Sequence, residues 1–140
     1  MWLSYKFLDH ATDAIIEINA KDLKEAFSTA ADAVINLTLD QDKVEEKDCK
    51  EFLSQGKDLH YLLFSWLEEI PFILITEGFA IKRIEFNIEK DNFYKINAKA
   101  FGETLDLKKH NFKVEIKAPT FYEMVIENKD TVYMKFLLDL

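Results

Sequence analysis

The sequence predicts an α+β fold: antiparallel or mixed β-sheet with two amphipathic helices packed on it, in a single domain over residues 1–140. Three observations carry this. Two segments repeat their apolar residues at helical spacing, most of the remainder alternates with the period of a half-buried strand, and 3 Gly and 2 Pro in 140 residues leave little for irregular structure. The length suits one domain able to bury a substantial core without disulfides or a structural metal.

In chain order, short apolar strands are predicted at Ser4 to Leu8 and Ala14 to Asn19. The first helix follows, with Leu23, Ala26, Phe27, Ala30, Val34 and Leu37 on one face and Asp22 with Glu25 as a capping-box-like start. The charged stretch Val44 to Leu53 is predicted as a strand. The second helix places Leu59, Leu62, Leu63, Trp66, Leu67 and Ile70 on one face, begins at Asp58, and is expected to stop at Pro71. Ile84 to Glu89 and a strand reaching about Phe101 flank a turn at Lys90-Asp91-Asn92. Phe112, Val114, Ile116 and Ala118 alternate with Lys113, Glu115 and Lys117 and predict a further strand. Phe121 to Glu127 and Val132 to Leu138 around Asn128-Lys129-Asp130 predict a closing hairpin.

Composition excludes several function classes. With 26 acidic against 18 basic residues and a net charge of −8, the chain repels phosphate backbones, so tight direct binding to nucleic acid is not expected. A basic protein partner or a hard cation matches that surface. Cys49 is the single cysteine, which removes internal disulfides and thiolate metal clusters and fits a reducing cytosol. The opening residues lack the pattern of a secretory signal. The apolar run Ile70 to Ile75 contains Pro71 and is too short for a membrane span, so a cytoplasmic location is expected.

Catalytic signatures are missing: no Gly-rich phosphate loop, dinucleotide fingerprint or nucleophile elbow is present. His10, His60 and His110 lie far apart in sequence. His60 reads as a boundary residue of the second helix, and Cys49 as a half-buried bystander on an edge strand. Two acidic places stand out. Asp9-His10-Ala11-Thr12-Asp13 is either a turn held by side-chain hydrogen bonds or part of a binding site. At Leu137-Leu138-Asp139-Leu140, Asp139 stands one residue from the last main-chain oxygens, giving either a solvated tail or half of a hard-cation site.

Taken in order, these segments resemble the archease family along the whole chain. The resemblance rests on Tyr5 to Asp13, Leu23 to Phe27 with Ala30-Ala31, Leu62 to Ile70, Thr76-Glu77-Gly78, Gly102 to His110, Lys117 to Tyr122, and Leu138-Asp139-Leu140. Gly102 to His110 is the most specific of these. Three departures are visible: Ala11 and Thr12 are exchanged relative to the usual pattern, Ala14-Ile15-Ile16 replaces a frequent glycine, and Tyr122 stands where His is common. The resemblance implies a divalent-metal site, most often Ca2+, formed by Asp13, Asp139 and the main-chain oxygens of Leu140. It also implies a non-enzymatic partner of the tRNA-splicing ligase, promoting guanylylation of the ligase active-site histidine and multiple turnover. Two alternatives remain open: a chaperone-like modulator of a tRNA cytosine methyltransferase, and a metal-dependent hydrolase using Asp13, Asp139 and His10.

Overall fold

The structure is a computed structural model and describes residues 4–8 and 12–140. The chain runs β1 (Ser4–Leu8), β2 (Asp13–Ala20), α1 (Leu23–Thr38), a 3-10 turn (Gln41–Lys43), β3 (Asp48–Gly56) and α2 (Leu59–Pro71). A π-helical segment (Phe72–Thr76), β4 (Phe79–Lys90), β5 (Tyr94–Thr104), β6 (Ala118–Asn128) and β7 (Val132–Asp139) follow. The strands form two antiparallel sheets, one ordered β1-β2-β7-β6 and one ordered β3-β5-β4. This is the α+β architecture the sequence predicts.

Both helices form where their apolar stripes and caps require. The Asp22 carboxylate accepts the Glu25 amide at 2.8 Å, and the Glu25 side chain reaches back to the Lys21 amide at 2.9 Å. Asp58 caps α2 by accepting the Tyr61 amide at 3.0 Å, and each such cap stabilises its helix by about 1 kcal/mol. α1 packs on β2 and β7 of the larger sheet and on β4 of the smaller, while α2 packs on β3 and β6. The helix pair therefore ties the two sheets together around one core. Trp66 is the hub: it is fully buried, and its indole N–H donates to the Phe27 carbonyl across the helix pair at 2.9 Å. Phe27, Phe52 and Phe86 pack around its ring with centroids at 6.3, 5.6 and 4.9 Å.

Several expectations are corrected. The α-helix ends at Pro71 as expected, but the helical path continues through the π segment to Thr76. The Phe72 amide is shared between the Glu68 and Glu69 carbonyls, and the wider turn closes when the Glu77 amide reaches the Phe72 carbonyl at 3.0 Å. The run Leu59–Thr76 is thus 18 residues of mean hydropathy 1.3, enough by length and composition alone to cross a membrane. Here its inner face, including Leu62, Leu63, Leu67 and Ile70, is spent on the core.

The strand predicted over residues 112–118 is irregular up to Lys117. Its backbone groups go elsewhere: the Lys113 amide takes the Thr38 carbonyl at the end of α1, and the His110 carbonyl takes the Asp40 amide. Ladder pairing begins only at Ala118. The strand expected from Val44 starts at Asp48 because the preceding amides of Glu45 and Lys47 bond Glu103 and the Gly102 carbonyl. Cys49 lies on edge strand β3 but is exposed instead of half-buried, and His60 is exposed in the first turn of α2.

Ser54 turns inward from β3 and is buried, and among the described residues its hydroxyl has no hydrogen-bond partner. Desolvating a hydroxyl without a partner costs free energy. Ser54→Ala is expected to raise stability by about 1 kcal/mol, read as a higher denaturation midpoint at unchanged m-value.

Candidate functional site

The two carboxylates singled out in the sequence are brought together. Asp13 opens β2, Asp139 closes β7, and the two are direct cross-strand partners. The Leu140 amide donates to the Thr12 carbonyl at 3.1 Å, which makes Thr12 and Leu140 the hydrogen-bonded pair. Asp13 and Asp139 are therefore the adjacent non-hydrogen-bonded pair, the arrangement with Cα atoms about 4.5 Å apart and side chains closest. In β2 the residues Ala14, Ile16, Ile18 and Ala20 face the core, so Asp13 projects from the opposite face, as does Asp139 in β7. The Asp139 carbonyl accepts the Lys117 amide at 2.8 Å, which pins the end of β7 to the chain entering β6. Leu140 is half-buried beside them.

Like charges directly opposite on one sheet face repel. Two carboxylates held this way beside main-chain oxygens are a donor set suited to a hard divalent cation, whose charge removes the repulsion. The donor chemistry fits such an ion. Among the described residues no group of three His, Cys, Asp or Glu converges, so the set here is two carboxylates and the Leu140 main-chain oxygens. Asp9 and His10 lie outside the described residues, and with them the general base of the hydrolase alternative.

A second polar centre escaped the sequence reading. His110 is fully buried, and its Nδ1 accepts the Asp106 amide at 3.0 Å. The ring proton is then on Nε2, which donates to Glu103 Oε2 at 2.9 Å. Glu103 also accepts the Glu45 amide at 2.9 Å and Lys109 Nζ at 2.9 Å, with Lys47 Nζ at 3.5 Å. The hydrogen bond from His110, then the Glu45 amide and Lys109, hold the Glu103 carboxyl well below the usual carboxylate range. Asp106 in turn accepts the Lys109 and Lys108 amides, which lower its pKa and close the 106–110 turn. Both His110 nitrogens are committed, so this centre is a clamp and not an acid–base pair. Its signal in the sequence is the segment Gly102 to His110, where an acidic residue and a histidine stand seven positions apart.

A depressed carboxyl binds fewer protons folded than unfolded. The stability Glu103 confers is thus complete above its ordinary value of 4.5 and is lost as pH falls toward its folded value. Glu103→Gln is expected to flatten the acid limb of the stability curve below about pH 4.5, removing about one proton of uptake. A stability profile between pH 2 and 5 as steep as that of the unaltered protein would contradict this.

Comparison with known proteins follows the same outline. A sequence model of the Archease protein family matches residues 5–140. A protein archease from Pyrobaculum islandicum is 39% identical over 134 residues, covering 94% of this chain and 91% of its own length. One from Pyrococcus abyssi is 39% identical over 124 residues, covering 88% and 87%. The solution structure of protein 1598 from Methanobacterium thermoautotrophicum superposes with a TM-score of 0.77 at 28% identity, covering 97% and 98% of the two chains. The crystal structure of a Thermotoga maritima archease, described as a possible chaperone, gives 0.62 at 19% identity over 96% of each chain and speaks to the fold alone.

Proposed function

The chain belongs to the archease family, and from that premise we propose that it is an accessory protein, not itself an enzyme, that activates the tRNA-splicing ligase of the cytoplasm. In this reading it promotes guanylylation of the ligase active-site histidine and so sustains multiple turnover. The observation that carries the reading is the facing pair Asp13 and Asp139 at the sheet end. With the Leu140 main-chain oxygens they would hold a divalent cation, Ca2+ by preference, since all donors are hard oxygens. A bound cation would neutralise the two carboxylates and present a fixed charge to the partner. The protein's own contribution is to hold the donors. The Leu140 amide on Thr12 and the Lys117 amide on Asp139 fix the backbone from which both ligands project.

The net charge of −8 supports a basic, RNA-handling protein as partner over RNA itself. The alternative partner is a tRNA cytosine methyltransferase, with this chain acting as a chaperone. Joining of tRNA halves by limiting ligase separates the two. Addition of this chain is expected to convert about one turnover per ligase into many, and a single-turnover limit that persists would sink the ligase reading.

A further inference from the structure

We infer that the outer face of α2, with the aromatic bulge of β6, is a docking surface for a basic, apolar segment of the partner protein. This rests on the ligase-partner reading above. Three features meet there. First, β6 does not run straight: Thr120 pairs with Leu137 and Val125 with Lys135, so Phe121 to Met124 stand opposite Phe136 alone. Glu123 in this bulge has φ 56°, a left-handed conformation that a non-glycine residue adopts at a cost of order 1 kcal/mol. The bulge turns Met124 into the core and puts aromatic side chains outside. Tyr122 is 69% exposed and Phe121 43%.

Second, α2 meets this bulge with its own aromatic row. Tyr61, Phe64, Glu68 and Phe72 recur at three- and four-residue steps on one face. Phe64 stacks on Phe121 with centroids 4.3 Å apart, and Tyr61 leans on the same ring at 4.9 Å. Phe72, carried outward by the π segment, is 49% exposed. Aromatic surface of this kind is enriched at protein–protein interfaces and rare on idle ones.

Third, the face continues into a groove of about 230 Å³ between Phe72 and residues 115–119. Its wall is the segment whose Lys117 amide holds the Asp139 carbonyl, so the groove abuts the proposed cation site. Glu68 and Glu115 line it, and among the described residues neither is in an ion pair, while Lys117 is the groove's one basic side chain. An apolar platform with an unneutralised acidic rim complements a segment carrying Lys or Arg among apolar residues. It is a poor platform for RNA, whose phosphates the rim repels.

The test measures binding of the full chain to the cognate tRNA-splicing ligase by calorimetry in calcium. Phe72→Ser with Tyr122→Ser is expected to weaken binding about 30-fold or more, with calcium affinity and thermal melting unchanged. Leu107→Ser, 62% exposed but outside this face, is expected to leave affinity unchanged. Ligase binding by the unaltered chain that survives the double substitution overturns the docking surface and leaves the partner reading standing. Absence of any binding by the unaltered chain overturns the partner reading and this inference with it. Binding of a single-stranded RNA oligonucleotide, or self-association in light scattering, that the double substitution abolishes would reassign the face to RNA or to a second copy and overturn it too.

Discussion

Asp139→Asn is expected to abolish calcium-dependent stimulation of the ligase while making the calcium-free protein slightly more stable. The two effects have one cause. Asp139 faces Asp13 as a non-hydrogen-bonded cross-strand partner, so removing one charge relieves a repulsion of roughly 0.2–1 kcal/mol. The same change removes one of the two proposed carboxylate ligands, and affinity for calcium is expected to fall by about two orders of magnitude. A ligand that binds only the folded state raises its melting temperature, so the unaltered protein should melt higher in calcium than in chelator. The Asn variant should melt at the same temperature in both. Asp13→Asn is expected to lose the calcium response in the same way, because it removes the facing carboxylate. A Glu17→Gln control lies on the same face of β2 but pairs with Lys135, and there the calcium response should persist. Loss of stimulation with retained ligase binding would place these residues in activation and not in docking.

Gly102→Ala is expected to be the most damaging single change to the fold, costing about 4 kcal/mol or more. A Cβ at Gly102 would stand 1.8 Å from the Ala80 carbonyl oxygen and 2.9 Å from its carbon. No rotamer relieves a clash with backbone, so β4 and β5 must separate where the register already shifts between Ile81 and Arg83. The damage spreads, because the Gly102 carbonyl accepts the Lys47 amide and Glu103 next to it anchors the buried His110. A chemical denaturation midpoint close to that of the unaltered protein would refute this account of the motif. The glycine of the segment is there for close backbone approach, and the Glu and His that follow are there for the clamp.

Much of the fold was legible because its signals are local. The α1 and α2 stripes and their Asp caps lie within a few residues of one another, and the hairpin at 128–130 is announced by its turn residues. What failed depended on remote groups. Alternation over 112–117 reads as a strand, yet nothing in the segment reveals that the end of α1 takes its backbone hydrogen bonds. Pro71 reads correctly as the end of the α-helix, yet nothing local announces the π turn that follows it and draws Ile73 and Leu74 into the core. At the candidate site, the identities of Asp13 and Asp139 were readable, and their adjacency was not. Sequence places them 126 positions apart at opposite ends of the chain, and only the β2–β7 ladder makes them partners. Glu103 and His110 were missed for the converse reason: they are near in sequence, but only burial turns an ordinary pair into a clamp.

In the proposed mechanism, a cation held by Asp13, Asp139 and Leu140 enables this protein to activate an RNA ligase. Guanylylation of the ligase, followed by label transfer from radiolabelled GTP, tests it most directly when run with and without this protein, in calcium and in chelator. The account predicts rapid labelling only when the protein and calcium are both present, and none of that gain with Asp139→Asn. Equal labelling in chelator, or undiminished stimulation by the Asn variant, would contradict it.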